Sequence, residues 1–227
     1  MKEFFERYPD KKNFVFIGEA GSGKSEISLN LAAYLVKATA NPVHFFDLDQ
    51  TKPLFRSRTV KEKMEEKGVI FHYEEQQADA PVTVGGVEYV LGDPESYAFL
   101  DIGGNAIGAR AAGHFSNVIG TTASKVFFII NPWLPWSTDV ENIDGTMSAI
   151  LKTARLKEFA ILGNPNLGAT TTAEEFLAGK DRLHEMITEY MPVDGYFVAD
   201  FLFDEVKAAV DANLYPLHPY LDYPWEG

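Results

Sequence analysis

Gly18-Glu19-Ala20-Gly21-Ser22-Gly23-Lys24-Ser25 sets two glycines, a lysine and a hydroxyl at the spacing G-x-x-x-x-G-K-[ST]. The chemistry that this spacing serves is a grip on a chain of phosphates. Glycines let the backbone turn tightly, so that its N–H groups converge on phosphate oxygens. Lys24 is expected to reach the β- and γ-phosphates, and the Ser25 hydroxyl to ligate Mg²⁺. The candidate phosphate-binding residues run without a break from Gly18 through Glu19, Ala20, Gly21, Ser22, Gly23, Lys24 and Ser25 to Glu26. With glycine at about 7% of residues, chance would put such a pattern in roughly one chain of this length in a hundred.

Carboxylates stand ready for the other half of that chemistry. Asp101-Ile102-Gly103-Gly104 follows the apolar run Tyr97-Ala98-Phe99-Leu100. An aspartate in that place can hold Mg²⁺ through water. Gly104 is positioned to offer an N–H near the γ-phosphate. Asp47-Leu48-Asp49-Gln50 follows Val43-His44-Phe45-Phe46. Alternation puts its two aspartates on one side of an extended segment. Such a carboxylate can orient a water or join the metal shell; a solvated acidic turn is the plainer reading. Lys24 is therefore a candidate catalytic residue, Ser25 and Asp101 are candidate metal ligands, and on spacing alone Asp47 and Asp49 stay equally open for the catalytic or the metal role.

Asn164, in Gly163-Asn164-Pro165-Asn166-Leu167-Gly168, carries an amide that can both donate to and accept from a purine edge. The same stretch also reads as an ordinary turn. The guanine-reading pattern [NT]-K-x-D is absent there, so ATP is expected ahead of GTP. Asn131-Pro132-Trp133-Leu134-Pro135-Trp136 offers two tryptophans between prolines, either a partner surface or a rigid loop whose rings cap the core. The five histidines show no ligand spacing.

The elements that must position these residues alternate. Apolar runs suited to buried parallel strands fall at 13–17, 43–46, 69–73, 97–100, 125–130, 159–162 and 195–198. Helical patterns lie at 26–37, 54–67, 105–119, 138–156, 172–190 and 203–213, with Ser137 or Thr138 as the N-cap of the fourth. Gly85-Gly86 between alternating apolar residues predicts a small antiparallel addition around 82–90. The proline- and aromatic-rich tail from Leu214 reads as irregular. The expected fold is a three-layer α-β-α sandwich on a mostly parallel sheet, with residues 1–227 as one nucleotide-binding domain. Ligands in such sheets bind at the carboxyl ends of the strands, where the aspartates above stand.

The bulk composition narrows the partners. The 227 residues are 46% hydrophobic, enough for a substantial core, and carry a net charge of −13. That acidity argues against nucleic acid and anionic membrane as partners. The absence of cysteine excludes disulfides and thiolate metal sites. No apolar run approaches a membrane-spanning length, and the N-terminus lacks the apolar region of a signal peptide, so a cytoplasmic protein is expected.

In order along the chain, FVFIGEAGSGKSE, VHFFDLDQ, YAFLDIGGN, VFFIINP, FAILGNPNLG and GYFVADFLFDEVKAAV resemble the MinD/ParA/Mrp-like branch of P-loop NTPases (the SIMIBI class), which includes CooC-type maturation factors. The resemblance implies that Asp49 positions the attacking water and that Asp101 organises Mg²⁺. It implies further that Asn164 contacts adenine and that the segment 199–206 flanks the base. The family carries a lysine after the first glycine of the loop, and that lysine reaches across a dimer. Glu19 stands there instead, and a glutamate cannot act as a cation in trans, which speaks against a nucleotide-sandwich homodimer. What the resemblance implies is an Mg²⁺-dependent ATPase that acts as a switch or maturation factor for a protein partner. The residues leave two other readings open. One is a small-molecule or polynucleotide kinase with Arg56 and Arg58 at its acceptor site. The other is a module that keeps nucleotide with little turnover.

Overall fold

The computed structural model describes residues 1–49, 54–73 and 86–221, with side chains from residue 60 onward in the second stretch. In chain order the helices and strands are Lys2–Glu6 (α1), Asn13–Ile17 (β1), Lys24–Ala38 (α2), Val43–Leu48 (β2), Leu54–Glu65 (α3), Ile70–His72 (β3), Val87–Gly92 (α4), Tyr97–Ile102 (β4) and Asn105–Gly108 (α5). They continue with Arg110–Thr121 (α6), Ser124–Ile130 (β5), Val140–Ala154 (α7), Ala160–Gly163 (β6), Ala173–Ile187 (α8), Val193–Ala199 (β7), Phe203–Ala209 (α9) and Leu214–Leu217 (β8).

The strands form one eight-stranded sheet in the order β3-β2-β4-β1-β5-β6-β7-β8. Every pairing among the described residues is parallel. Runs such as Asn-Phe-Val-Phe-Ile of β1 are buried at every position, as a strand covered on both faces must be. Alternation sends Val15 and Ile17 into one core with Phe46, Leu100, Phe128 and Ile130, packed under Phe115, Ile143 and Leu183 of the helices on that side. It sends Phe14 and Phe16 into the other, with Phe45, Phe99, Phe127 and Phe197, covered by Ile27 and Leu31 of α2 and Met64 of α3. The result is the α/β sandwich with helices on both faces, and the chain leaves strand after strand at the same edge.

Several local expectations change. Val87–Gly92 is helical, not part of an antiparallel hairpin; residues 82–85 lie outside the described residues. Gly86, at φ 86°, serves as the N-cap of this helix instead of turning a hairpin. The helix expected at 105–119 is broken at Ala109 into α5 and α6. The cap of α7 is Asp139, which accepts from the Asn142 amide at 2.8 Å. Ser137 Oγ is taken instead by the carbonyls of Asn131 and Leu134.

The tail also departs from expectation: Leu214–Leu217 is a strand, paired in register with Tyr196–Ala199. Pro216 lacks an N–H and disfavours a central strand, but β8 is the outermost strand, where one side of the backbone needs no partner.

Candidate functional site: a phosphate loop ringed by strand ends

Between β1 and α2 the chain makes the loop Gly18–Gly23, and the helix begins at Lys24. The N-cap of α2 is Gly23, which has no side chain to cap it. A 15-residue helix thus presents its first-turn N–H groups and the positive end of its dipole to the strand ends. Such an arrangement is suited to hold an anion on backbone groups. Gly23, the N-cap, has φ 93° and ψ 13°, a left-handed conformation. A Cβ there would run into the Asn164 side-chain amide. Lys24 is buried, and its Nζ donates to the Glu19 carbonyl at 2.9 Å, across the loop. The Glu19 carboxylate folds back to accept from the Ala20 amide at 2.8 Å.

Asp101, 1% exposed, stands near the end of β4, which pairs with β1. Its Oδ2 accepts from Ser25 Oγ at 2.6 Å. The two groups that the sequence nominates for Mg²⁺ are therefore within one hydrogen bond of each other, although 76 residues separate them. Both are hard oxygen donors of the kind Mg²⁺ takes. Among the described residues no cluster of three His, Asp or Glu offers a protein-only cage. A cation on Ser25 and Asp101 would complete its shell with phosphate oxygens and water, the habit of Mg²⁺ in nucleotide sites.

Asp47 sits opposite Asp101 in the β2–β4 register. Its carboxylate accepts from the Asp49 amide at 3.2 Å, which turns the chain at that edge. Asp49 in turn lies over the Asp101 loop: a Cβ on Gly103 would come within 3.0 Å of its Oδ1. Gly104 is pressed against the phosphate loop, because a Cβ there would come within 2.6 Å of the Ala20 Cα. Any larger residue would push the Asp101 loop and the phosphate loop apart. Gln50 and the side chains of Arg56 and Arg58 lie outside the described residues.

Asn164 is buried beside the phosphate loop and donates to the Ser22 carbonyl at 2.8 Å. Its own carbonyl accepts from Asn166 Nδ2 at 2.5 Å. Asn166 also donates to the Phe197 carbonyl at 2.8 Å and accepts from the Ala199 amide at 3.0 Å. Asn131 Nδ2 donates to the Asn166 carbonyl at 2.9 Å. A relay of three asparagines thus ties the loops after β5, β6 and β7 to the phosphate loop. Only Asn164 is singled out by sequence reasoning. Asn131 and Asn166 read as turn residues; the one sequence signal is the repeat of Asn-Pro at 131–132 and 164–165 after two successive strands, with Asn166 next to the second pair.

The tryptophan loop is part of this assembly. Trp133 Nε1 donates to the Pro165 carbonyl at 3.1 Å, and its ring fills the space above Gly179. Trp136 packs partly buried against the core. Leu134 lies over Gly21, 3.4 Å from where a Cβ would stand. The rings brace the loop, and Leu134 roofs the phosphate loop.

Glu26 turns away from the phosphate loop. It is buried, and it accepts from the Tyr220 amide at 2.9 Å and the Leu221 amide at 2.7 Å. Burial pushes its carboxyl up to about 7, against the pull of those two N–H bonds and of nearby His218 and Lys63. Because the folded protein holds this proton more tightly than a free glutamate at 4.5, the group's stabilising contribution is complete below about pH 4.5. It declines between pH 4.5 and 7 and is absent above. The expected size is about 3 kcal/mol. Urea titrations across pH 4.5–8 should show this slope in the wild type and not in Glu26→Gln; parallel profiles would refute it.

No family model and no curated protein matches the sequence. Solved structures do match in fold. Chloroplast FtsY from Physcomitrella patens is 12% identical, with a TM-score of 0.53 over 82% of this chain and 58% of that one. The cell division protein FtsY from Thermotoga maritima is 16% identical, with a TM-score of 0.52 over 83% and 62%. The signal recognition particle receptor FtsY from Elizabethkingia anophelis is 13% identical, with a TM-score of 0.50 over 86% and 62%. The chain thus spans about three fifths of the length of these structures. At such identities the likeness is one of fold, the α/β sandwich on a parallel sheet described above. Among the described residues no helix is long and apolar enough to cross a membrane.

Proposed function

We propose that this chain is an Mg²⁺-dependent nucleotide switch that binds and hydrolyses ATP and reports its nucleotide state to a protein partner. The observation that carries the reading is the 2.6 Å bond between Ser25 and Asp101 beneath an uncapped helix N-terminus. It sets the two proposed Mg²⁺ ligands side by side at the start of that helix. The α2 amides and Lys24 hold the phosphates. Ser25 and Asp101 hold the cation, whose charge offsets that of the phosphates. Asp49, over the Asp101 loop, orients the attacking water. Gly104 against Ala20 links that loop to the phosphate loop, so a change at the γ-phosphate moves the surface around Asn105–Gly108. There Ile107 is 69% exposed.

Isothermal titration with ATP and GTP, each with and without Mg²⁺, tests the reading. Micromolar, Mg²⁺-dependent binding of ATP is expected. Lys24→Ala should cost roughly 1.5–3 kcal/mol, the worth of a charge-assisted hydrogen bond, which is about 10- to 150-fold in affinity. Asp101→Asn should leave metal-free binding alone and remove most of the gain from Mg²⁺. Lys24→Ala with unchanged affinity would sink the assignment.

A further inference from the structure

Residues 218–221, just past β8, stay against the molecule. His218 exchanges hydrogen bonds with Asn30 on α2: Asn30 Nδ2 donates to the His218 carbonyl at 2.7 Å, and the His218 amide donates to Asn30 Oδ1 at 2.8 Å. One turn back along α2, both oxygens of Glu26 receive the amides of Tyr220 and Leu221. The His218 ring pairs with Asp200 Oδ2 at 2.7 Å, in the turn after β7. On the far side Lys63 of α3 donates to the Tyr220 carbonyl at 3.3 Å. Lys67 lies 5.4 Å from the centre of the Tyr220 ring. Four residues thus touch three elements, each of which leads from a strand end at the phosphate site: α2 from β1, α3 from β2, and the Asp200 turn from β7.

We infer that residues 218–221 form a strap whose docking on α2 and nucleotide binding at the phosphate loop reinforce each other, with Glu26 and Asn30 as the positioning residues. This rests on the nucleotide-binding reading above. The physical reason lies at Glu26, one residue past Ser25. An unoccupied carboxylate there would add negative charge beside the phosphates. Two backbone N–H groups from the strap hold it turned away and offset that charge, so the phosphate site is more favourable to an anion when the strap is down. The Asp200 and Lys63 contacts then carry the state of the strap to the loop after β7 and to α3. By linkage, whatever the strap contributes to nucleotide affinity, nucleotide returns to strap docking.

Hydrogen exchange of the Tyr220 and Leu221 amides in the full chain tests this, with and without saturating ATP and Mg²⁺, alongside calorimetric binding. A coupling of ordinary size predicts about tenfold slower exchange at both amides once nucleotide is bound. Asn30→Ala cuts the strap's other anchor, a turn away from the phosphates, and should speed exchange at both amides and weaken ATP binding by about the same factor. Nucleotide binding with unchanged exchange at Tyr220 and Leu221 overturns the strap alone. So does Asn30→Ala if it frees those amides yet binds ATP as tightly as the wild type. Failure of the wild type to bind any nucleotide overturns the strap together with the function on which it rests.

Discussion

Gly23→Ala is expected to lose roughly 100-fold or more in nucleotide affinity while the sheet stays folded. Two costs act at one atom. A left-handed residue with a side chain is strained by about 2 kcal/mol. The added methyl also collides with the Asn164 amide, which must withdraw from the Ser22 carbonyl and so gives up a buried hydrogen bond worth about 1 kcal/mol. Relieving the collision moves either the N-cap of α2 or the asparagine relay, and both fix the direction of the phosphate-binding amides. A total of about 3 kcal/mol is roughly two powers of ten. Gly120→Ala is the control. It sits in α6 with nothing within 4 Å of a Cβ, so it should leave binding unchanged and raise stability slightly. Calorimetric titration with circular dichroism on both variants is decisive. Wild-type affinity in a folded Gly23→Ala protein would show that the loop geometry is not what binds.

The second large effect lies at a residue outside the site. Phe4→Ala is expected to cost about 3–5 kcal/mol, the usual loss for truncating a buried phenylalanine. A five-residue helix has no stability of its own in water. What holds α1 is the fully buried ring of Phe4, set 5.3 Å from Phe127, 5.3 Å from Tyr215, 6.2 Å from Phe14 and 6.1 Å from Phe197. Those partners belong to β5, β8, β1 and β7, so the one side chain spans the centre of the sheet and its last strand. Domain stabilities are typically 5–15 kcal/mol, and a loss of this size would be a large share of the total. A urea midpoint shifted by under about 1 kcal/mol would mean that the sheet face closes without α1. Phe4→Leu should recover about half of the loss.

Much of the frame was legible because its signals are local. A buried parallel strand announces itself as a continuous apolar run, and β1, β2, β4, β5, β6 and β7 were all read that way. The loop between β1 and α2 was legible for a similar reason, since its glycines, lysine and serine are adjacent in the chain. Where the reading failed, a local signal had two solutions. Gly86 could turn a hairpin or begin a helix, and Val87, Val90 and Leu91 settled it by burying themselves at helical spacing on the core. Pro216 could end all regular structure or occupy an outer strand, and only the finished sheet shows that β8 is outermost.

The amino-acid sequence by itself determined the strand succession, the glycine-rich loop between β1 and α2 and the presence of an aspartate toward the end of each of two core strands. These depend on hydrophobic period and turn chemistry, which act within about ten residues. The tertiary structure decided what those residues touch. Ser25 meets Asp101, Asn164 meets Ser22, and Glu26 meets Leu221 across 195 positions of chain. A carboxylate on the first turn of α2 carries no local mark of its partner. That partner is chosen by which strand ends the sheet order brings side by side, a property of the folded whole.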